Sequence, residues 1–433
     1  MQTKNIQEIL NKLEISELNA MQQEAFKIIR NSSNTILLSP TGSGKTLAFL
    51  LPLLEILDTD LAEVQTLILV PSRELAIQIE QVTREMGAGF KANAVYGGRA
   101  FSKDKIDLHH PPAILIGTPG RIADHFRRKT FSTKNIKALV LDEFDKSLEV
   151  GFENEMKEII AELSGLQKRI LTSATQNITI PDFVNLTAPK RIDYLKGEQP
   201  SLEIKTIQVN PRLKLQSLLN LLSENHEGSG IIFCNLKDSI AEVSDFLSEN
   251  RIEHGTFSGG MEQKDRERSL IKFRNGTHRL LIATDLAARG IDVPEIDFII
   301  HYQLPFKASE FTHRNGRTAR MRQEGIAYVL SDRDTLPDFI KTNDYKVQLA
   351  KKDTDIVEKT TLFISGGRKD KISKGDIAGL FLKQGKLKKE QLGLIELKQD
   401  CAFVAVPEKK AEELINLLNN SKLKKKKVRV RYI

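Results

Sequence analysis

The chain is poor in cysteine and has no long apolar run. Its two cysteines, Cys234 and Cys401, are too few for a disulfide framework or a metal cluster, and both lie in apolar, strand-like runs that predict core positions. No apolar stretch approaches the roughly 20 residues that cross a bilayer. The amphipathic start, MQTKNIQEILNKLEISE, lacks the uninterrupted apolar segment of a secretory signal. These absences predict a cytoplasmic protein with no membrane partner. A net positive charge is also missing from most of the chain. Residues 1–360 carry 47 Lys and Arg against 49 Asp and Glu, whereas residues 361–433 carry 18 against 8 and account for the whole net charge of +8. A basic excess confined to one end attracts a polyanion such as nucleic acid.

What is present is an ordinary globular composition, 40% hydrophobic and 28% charged, in 433 residues. At roughly 150 residues per domain that length suggests about three domains. Short β-branched runs alternate with longer helical patterns, the signature of parallel sheets with crossover helices, so the fold class is α/β. Strands are predicted at Thr35–Leu38, Thr66–Val70, Ala113–Ile116, Ala138–Leu141 and Arg169–Thr172. A second block supplies Gly230–Cys234, Leu280–Ala283, Phe298–His301 and Ile326–Leu330. Motif-bearing loops follow these strands and should share the carboxyl edge of each sheet. Pro189, Gly197 and Pro200 mark Thr187–Pro200 as a linker, and the polar stretch Asp344–Thr360 as another. The last segment reads strand, helix, two strands, helix, strand, the βαββαβ order used by RNA-recognition modules among many others.

The first loop, Ser39–Thr46 (SPTGSGKT), joins an apolar strand to a helical run. There Gly42 and Gly44 let backbone N–H groups wrap phosphates, Lys45 reaches the β and γ phosphates of ATP, and Thr46 can ligate Mg²⁺. Ser39 replaces the usual first glycine. All eight residues, Ser39, Pro40, Thr41, Gly42, Ser43, Gly44, Lys45 and Thr46, are assigned to the nucleotide. The sequence Asp142-Glu143-Phe144-Asp145 ends another strand, where Asp142 can hold Mg²⁺ and Glu143 can orient or deprotonate the attacking water. An acidic pair at a strand end is otherwise a surface or cap feature.

With these go Gln22, PSRELAIQ (Pro71–Gln78), Gly97-Gly98, TPGR (Thr118–Arg121), Ser173-Ala174-Thr175, IFCN (Ile232–Asn235), Gln263 with Arg266, ATDLAARGID (Ala283–Asp292) and HRNGRTAR (His313–Arg320). In this order the chain resembles a DEAD-box RNA helicase of superfamily 2 over roughly residues 6 to 345. The resemblance implies two tandem RecA-like domains, 1–200 and 201–350, followed by an RNA-recognition-like α+β domain at 360–433. It implies that Gln22 reads the adenine, that Asp292 approaches the ribose, and that Arg317 and Arg320, as arginine fingers on the γ-phosphate, join Lys45, Asp142 and Glu143 in catalysis. Asp145, Ser173, Thr175 and His313 would couple hydrolysis to strand separation. Arg73, Gly98, Thr118, Arg121, Arg266 and Thr284 would grip the RNA backbone. As a helical stretch, the spacing of Arg314, Arg317 and Arg320 places all three on one face, which also suits a solvated surface.

Two departures stand out. Phe144 occupies a position where the family usually has alanine; strand alternation would point its ring only imperfectly away from the side shared by Glu143 and Asp145, so its bulk is expected to disturb the contact of Asp145 with Ser173-Ala174-Thr175. The family's adenine-stacking aromatic upstream of this motif has no evident counterpart before Gln22; Ile6 is the nearest apolar candidate for that place.

Residues 361–433 resemble the RNA-binding domain of DbpA-type helicases, notably in TLFISGGRKDKISKGDIAG and KLKKKKVRVRYI. That resemblance implies recognition of a hairpin of large-subunit ribosomal RNA and a part in ribosome assembly. Arg368, Lys369, Lys371, Lys424 to Lys427, Arg429 and Arg431 would neutralise phosphates, although a terminal lysine run is otherwise a solvated tail. The run Cys401–Val406 lacks the aromatic signature of stacking sheets, so base readout is expected away from the sheet face. The expected function is that of an ATP- and Mg²⁺-dependent RNA helicase. The alternatives are an ATP-dependent RNA clamp and a DNA translocase.

Overall fold

The computed structural model describes residues 5–176, 179–195, 202–225, 227–285, 293, 296–318, 325–332, 336–340, 343–345 and 359–433. They fall into two compact units, the second starting at the strand Leu202–Gln208. The first unit contains one seven-stranded sheet: β1 Asn34–Leu38, β2 Thr66–Leu69, β3 Ala92–Val95, β4 Ile114–Gly117, β5 Ala138–Leu141, β6 Lys168–Ser173 and β7 Lys190–Asp193. Their order is β3-β4-β2-β5-β6-β1-β7, and every pairing is parallel.

The strands read as unbroken apolar runs because helices cover both faces of the sheet. Leu37, Ile68, Ile116, Val140 and Ile170 pack on one side, and Leu38, Leu67, Leu69, Leu115, Leu139 and Leu171 on the other. Two strands differ from expectation. β3, with the sequence ANAV, is too weakly apolar to stand out. β7 lies inside the stretch read as a linker and pairs with β1 from Thr35–Lys190 to Leu38–Asp193, so chain leaves the sheet only after Asp193. Hydrogen bonding to β1 outweighs the local breakers.

The second unit repeats the plan. Its strands are β8 Leu202–Gln208, β9 Gly230–Phe233, β10 His254–Phe257, β11 Leu280–Ala283, β12 Phe298–His301, β13 Gly325–Ser331 and β14 Asn343–Asp344, in the order β10-β11-β9-β12-β13-β8-β14, again all parallel. Each strand occupies the place of the one numbered seven lower in the first sheet. The two lobes therefore share one strand permutation, and motif loops recur at equivalent strand ends.

Behind the second lobe's strands in sequence, and within the same unit, β15 Lys359–Ile364, β16 Ile395–Leu397, β17 Ala402–Pro407 and β20 Val430–Tyr432 form an antiparallel sheet ordered β16-β17-β15-β20, while β18 Lys422–Leu423 and β19 Lys426–Lys427 make a hairpin. Helices Lys374–Gly379 and Glu408–Leu418 cover one face, giving the expected βαββαβ layout. The first of these helices is α-helical from Lys374 to Gly379 and continues as π-helix from Leu380 to Gln384. The lysine run is folded as the hairpin: Lys424 and Lys426 pair with Asp376 and Asp370 at 2.9 and 2.7 Å. Tyr432 is 45% exposed although it alternates with buried Val428 and Val430.

Polar contacts join this module to the second lobe. Arg274, at the end of the helix Gln263–Arg274, forks onto Glu396 with two 2.7 Å hydrogen bonds. Lys398 pairs with Glu267 at 2.7 Å, and Thr361 receives Asn275 Nδ2 at 3.1 Å and lies 2.7 Å from the Thr277 hydroxyl. Of the cysteines, Cys234 is buried and Cys401 only partly so, just ahead of β17; burial pushes both thiols up to about 12, which makes them inert.

Candidate nucleotide and RNA sites

The phosphate loop follows β1 and opens the helix Lys45–Leu54. Gly44 has φ +88°, and a Cβ there would lie 2.4 Å from Gln22 Nε2, so only glycine fits. Gln22 is buried and sits in a capping box with Asn19, Gln22 Oε1 accepting the Asn19 N–H at 3.0 Å and Asn19 Oδ1 the Gln22 N–H at 2.9 Å. Gln22 Nε2 then donates to Gly44 O (3.3 Å) and Asn19 Nδ2 to Ser43 O (3.1 Å), fastening this helix start to the loop. The N-x-x-Q spacing of the box was readable in the sequence; its tie to the loop was not. Lys45 Nζ donates to Ser39 O and Pro40 O at 2.6 and 2.8 Å.

The acidic motif sits at the end of β5. Asp142 is buried, and desolvation pushes its carboxyl above the ordinary range despite the hydroxyl of Thr172, which donates to Oδ1, and the nearby Lys45. Thr172 Oγ1 also accepts the Glu143 N–H at 3.2 Å, so one hydroxyl locates both acids. No sequence signal marked Thr172; pairing of β5 with β6 brings it there. Glu143 has left-handed backbone, φ 46° and ψ 50°, a strained conformation for a residue with a Cβ and of the kind that collects at functional sites.

Phe144 does not continue the strand. It begins the helix Phe144–Glu149 with its ring fully buried among Leu139, Met156 and their neighbours, which removes the expected conflict. Asp145 keeps its partner: Thr175 Oγ1 donates to Oδ2 at 3.2 Å, Thr175 N donates to Ser173 Oγ at 2.9 Å, and Ser39 N donates to Ser173 O at 3.1 Å. The phosphate loop, both acids and the Ser173–Thr175 segment thus form one hydrogen-bonded body.

Among the residues assigned to RNA in the first unit, Arg73 begins the helix Arg73–Met86 and lies against Gly97 and Gly98; Gly98 has φ +85°. Thr118 precedes the helix Pro119–Arg127. Arg121 is turned inward, its side chain 11% exposed, with Nε donating to Tyr96 O at 3.1 Å and Nη2 to Arg99 O. Its guanidinium holds the glycine loop.

In the second unit Thr284 follows β11, and Arg266 lies over the Phe257 ring at 4.7 Å, near the carboxyl ends of β11 and β10. The helix Ala308–Asn315 carries His313 and ends at Asn315, so Arg317 lies beyond the helix that holds Arg314 and the two do not share a helical face. Nor are the described arginines solvated: Arg314 is 1% and Arg317 4% exposed. Arg314 forks onto Asp285 and also reaches Asn235 Oδ1 (2.8 Å) and Gln303 O (2.7 Å), an internal anchor that its spacing did not reveal. It faces His301, held near pKa 3 by burial and by this arginine. Asp292 and Arg320 lie outside the described residues.

In the module, Arg368 and Lys369 form a turn that Lys371 closes at φ 60°, and Arg429 and Arg431 are exposed. The sheet face does carry aromatics: Phe363 and Phe403 pair across β15 and β17 edge to face at 5.7 Å, with Arg431 4.5 Å over Phe363. Thr361, two residues from Phe363, and Glu396, paired with Phe403, share that face and contact the second lobe.

Comparison with known proteins agrees with this arrangement. The chain matches the models of the DEAD/DEAH box helicase at residues 19–183, of the helicase conserved C-terminal domain at 213–322 and of the DbpA RNA binding domain at 361–432. The ATP-dependent RNA helicase DbpA of Bacillus subtilis (strain 168) is 30% identical, with 97% of this chain and 96% of that protein aligned. The DbpA of Escherichia coli (strain K12) is 31% identical over 98% and 96%. The structure of S. cerevisiae Dbp5 bound to RNA and ADP BeF3 superposes with a TM-score of 0.67 at 26% identity, over 76% of this chain and 88% of that one. Motifs, twin parallel sheets, basic module and relatives converge: the chain belongs to the DbpA-type DEAD-box ATP-dependent RNA helicases.

Proposed function

We propose that this helicase anchors on large-subunit ribosomal RNA through residues 361–433 and remodels short duplexes beside that anchor during assembly of the 50S subunit, in the cytoplasm. The observation that carries the reading is the concentration of the whole positive excess in a module with its own sheet and core that matches the DbpA RNA-binding domain. In this reading Lys45 and the loop N–H groups bind the ATP phosphates, Gln22 and Asp292 the base and ribose, and Arg317 and Arg320 complete the charge at the γ-phosphate. Asp142 and Thr46 offer the hard oxygen donors that suit Mg²⁺, and a carboxylate as desolvated as Asp142 gains from a cation beside it. Mg²⁺ would supply charge neutralisation on the phosphates. Glu143 orients the attacking water, and Asp145 relays the outcome to Ser173 and Thr175. The formed Asp145–Thr175 contact favours this coupled helicase over the clamp reading.

ATP turnover stimulated by ribosomal RNA, unrelated RNA and DNA, with the full chain and with the chain ending at residue 360, tests the assignment. The full chain should prefer ribosomal RNA and the truncated one should not; equal stimulation in all six cases refutes the ribosomal anchor. Lys45→Ala and Glu143→Gln should each abolish stimulated turnover, and normal turnover in both refutes the site assignment.

A further inference from the structure

Asp104 belongs to none of the motifs above. Its side chain, on the helix Phe101–Leu108, is fully buried, yet three side chains converge on it: Arg99 Nη1 at 3.3 Å, Arg121 Nε at 3.1 Å and His125 Nε2 at 3.4 Å. His125 is itself buried, 2.8 Å from Thr130 Oγ1 through Nδ1 and stacked on Phe101. Taking a carboxylate out of water costs several kcal/mol per ion even after relaxation, and an apolar residue would pack as well.

The geometry explains what the charge does. Arg121 Nε is shared between Asp104 and the Tyr96 carbonyl, while its Nη2 meets the Arg99 carbonyl. Tyr96 and Arg99 bracket Gly97-Gly98, and Arg121 is on the first turn of the helix that Thr118 precedes. Gly98 in turn lies so close to Arg73 that a Cβ would come within 2.4 Å of Nη1. Asp104 therefore supplies the buried counter-charge that aims Arg121 at the loop carbonyls, while Arg99 closes the other side through Asp104 and the more exposed Asp107.

We propose that Asp104 is a positioning residue for RNA: acting through Arg121 and Arg99, it locks the Gly97-Gly98 loop to the start of the helix Pro119–Arg127 at the spacing an RNA backbone requires. The proposal rests on the reading of Gly98 and Thr118 as RNA-backbone contacts.

The test uses the full chain and a fluorescently labelled single-stranded RNA in the presence of ADP and beryllium fluoride, with binding followed by anisotropy. Asp104→Asn keeps the shape and removes the charge; it should weaken RNA binding about tenfold, as small misplacements of aligned groups do. KM for ATP and kcat at saturating RNA should stay at wild-type values, a split that general damage to the fold would not give. In an Arg121→Gln background the same substitution should add little, because both changes act on one contact. Unchanged RNA affinity in a folded Asp104→Asn variant, or equal losses in RNA affinity, kcat and KM for ATP, overturns the proposal. If the variant does not fold, Arg121→Lys carries the test: lysine cannot span both carbonyls and should weaken binding similarly, and wild-type affinity overturns the proposal. Thr118→Val separates the two levels. Wild-type affinity there refutes the underlying contact reading, whereas loss there with none in Asp104→Asn refutes the positioning role alone.

Discussion

Phe144 illustrates how a single residue can be misjudged from a strand pattern. Alternation along a continued β5 would have pointed its ring only imperfectly away from the side shared by Glu143 and Asp145, but the strand stops at Leu141, Glu143 turns in left-handed conformation, and the ring begins a helix in the core. Phe144→Ala should therefore act on stability, costing about 3–5 kcal/mol in denaturant unfolding, as large-to-small changes in cores do; a near-neutral result would show that the site collapses around the loss. Asp142 has the opposite character. Burial raises its pKa, so the folded state holds the proton more tightly than the unfolded chain, and the stability this gives is complete below the ordinary value of 3.8 and is lost as pH rises through the folded value. Asp142→Asn keeps an oxygen for the Thr172 hydroxyl and avoids the buried charge. It should unfold no more easily than wild type at pH 7, with an advantage that grows as pH is raised from below 3.8, while losing ATP turnover. A neutral-pH destabilisation in urea titrations would contradict this.

Elements were legible where one residue pattern dominated. The apolar strands β1, β2, β5, β11 and β12 are plain in the sequence because both faces are covered, and the segments after the first four carry motifs. β3, β7 and β10 were not, since ANAV, KRID and HGTF owe their strand state to neighbours. The candidate site divides the same way. Gln22, the phosphate loop and the acids are local motifs, whereas Thr172, Asp104 and the Arg314–Asp285 pair join segments distant in sequence. Arg314 is the clearest case: from the helix Ala308–Asn315 it reaches residues following β9, β11 and β12. Arg314→Met leaves Asp285 without its partner and should destabilise the second unit by about 3–5 kcal/mol. Hydrogen exchange would register this as lost protection in β9, β11 and β12, with β1 and β5 unaffected; uniform protection would mean that the pair is dispensable.

At the scale of the whole chain, one helix serves two partners. The helix Gln263–Arg274 carries Arg266, assigned to RNA, near its start and forks Arg274 onto the module at its end, while Glu267 holds Lys398. Arg274 and Glu396 are 19% and 12% exposed, so solvent screens the pair only partly. This placement gives the module a fixed register on the lobe that it serves, and RNA captured by the module would be presented to Arg266 at a set distance. Reversing one charge, by Arg274→Glu or Glu396→Arg, places like charges face to face on the dock. Each should split the joint unfolding of the second lobe and module into two calorimetric transitions and reduce stimulation by ribosomal RNA, with ATP turnover on unrelated RNA unchanged. The double exchange restores opposite charges and should recover a single transition and the lost stimulation. If either single reversal unfolds and responds to ribosomal RNA as wild type does, the fork contributes nothing to coupling, and the module would be a tethered anchor only.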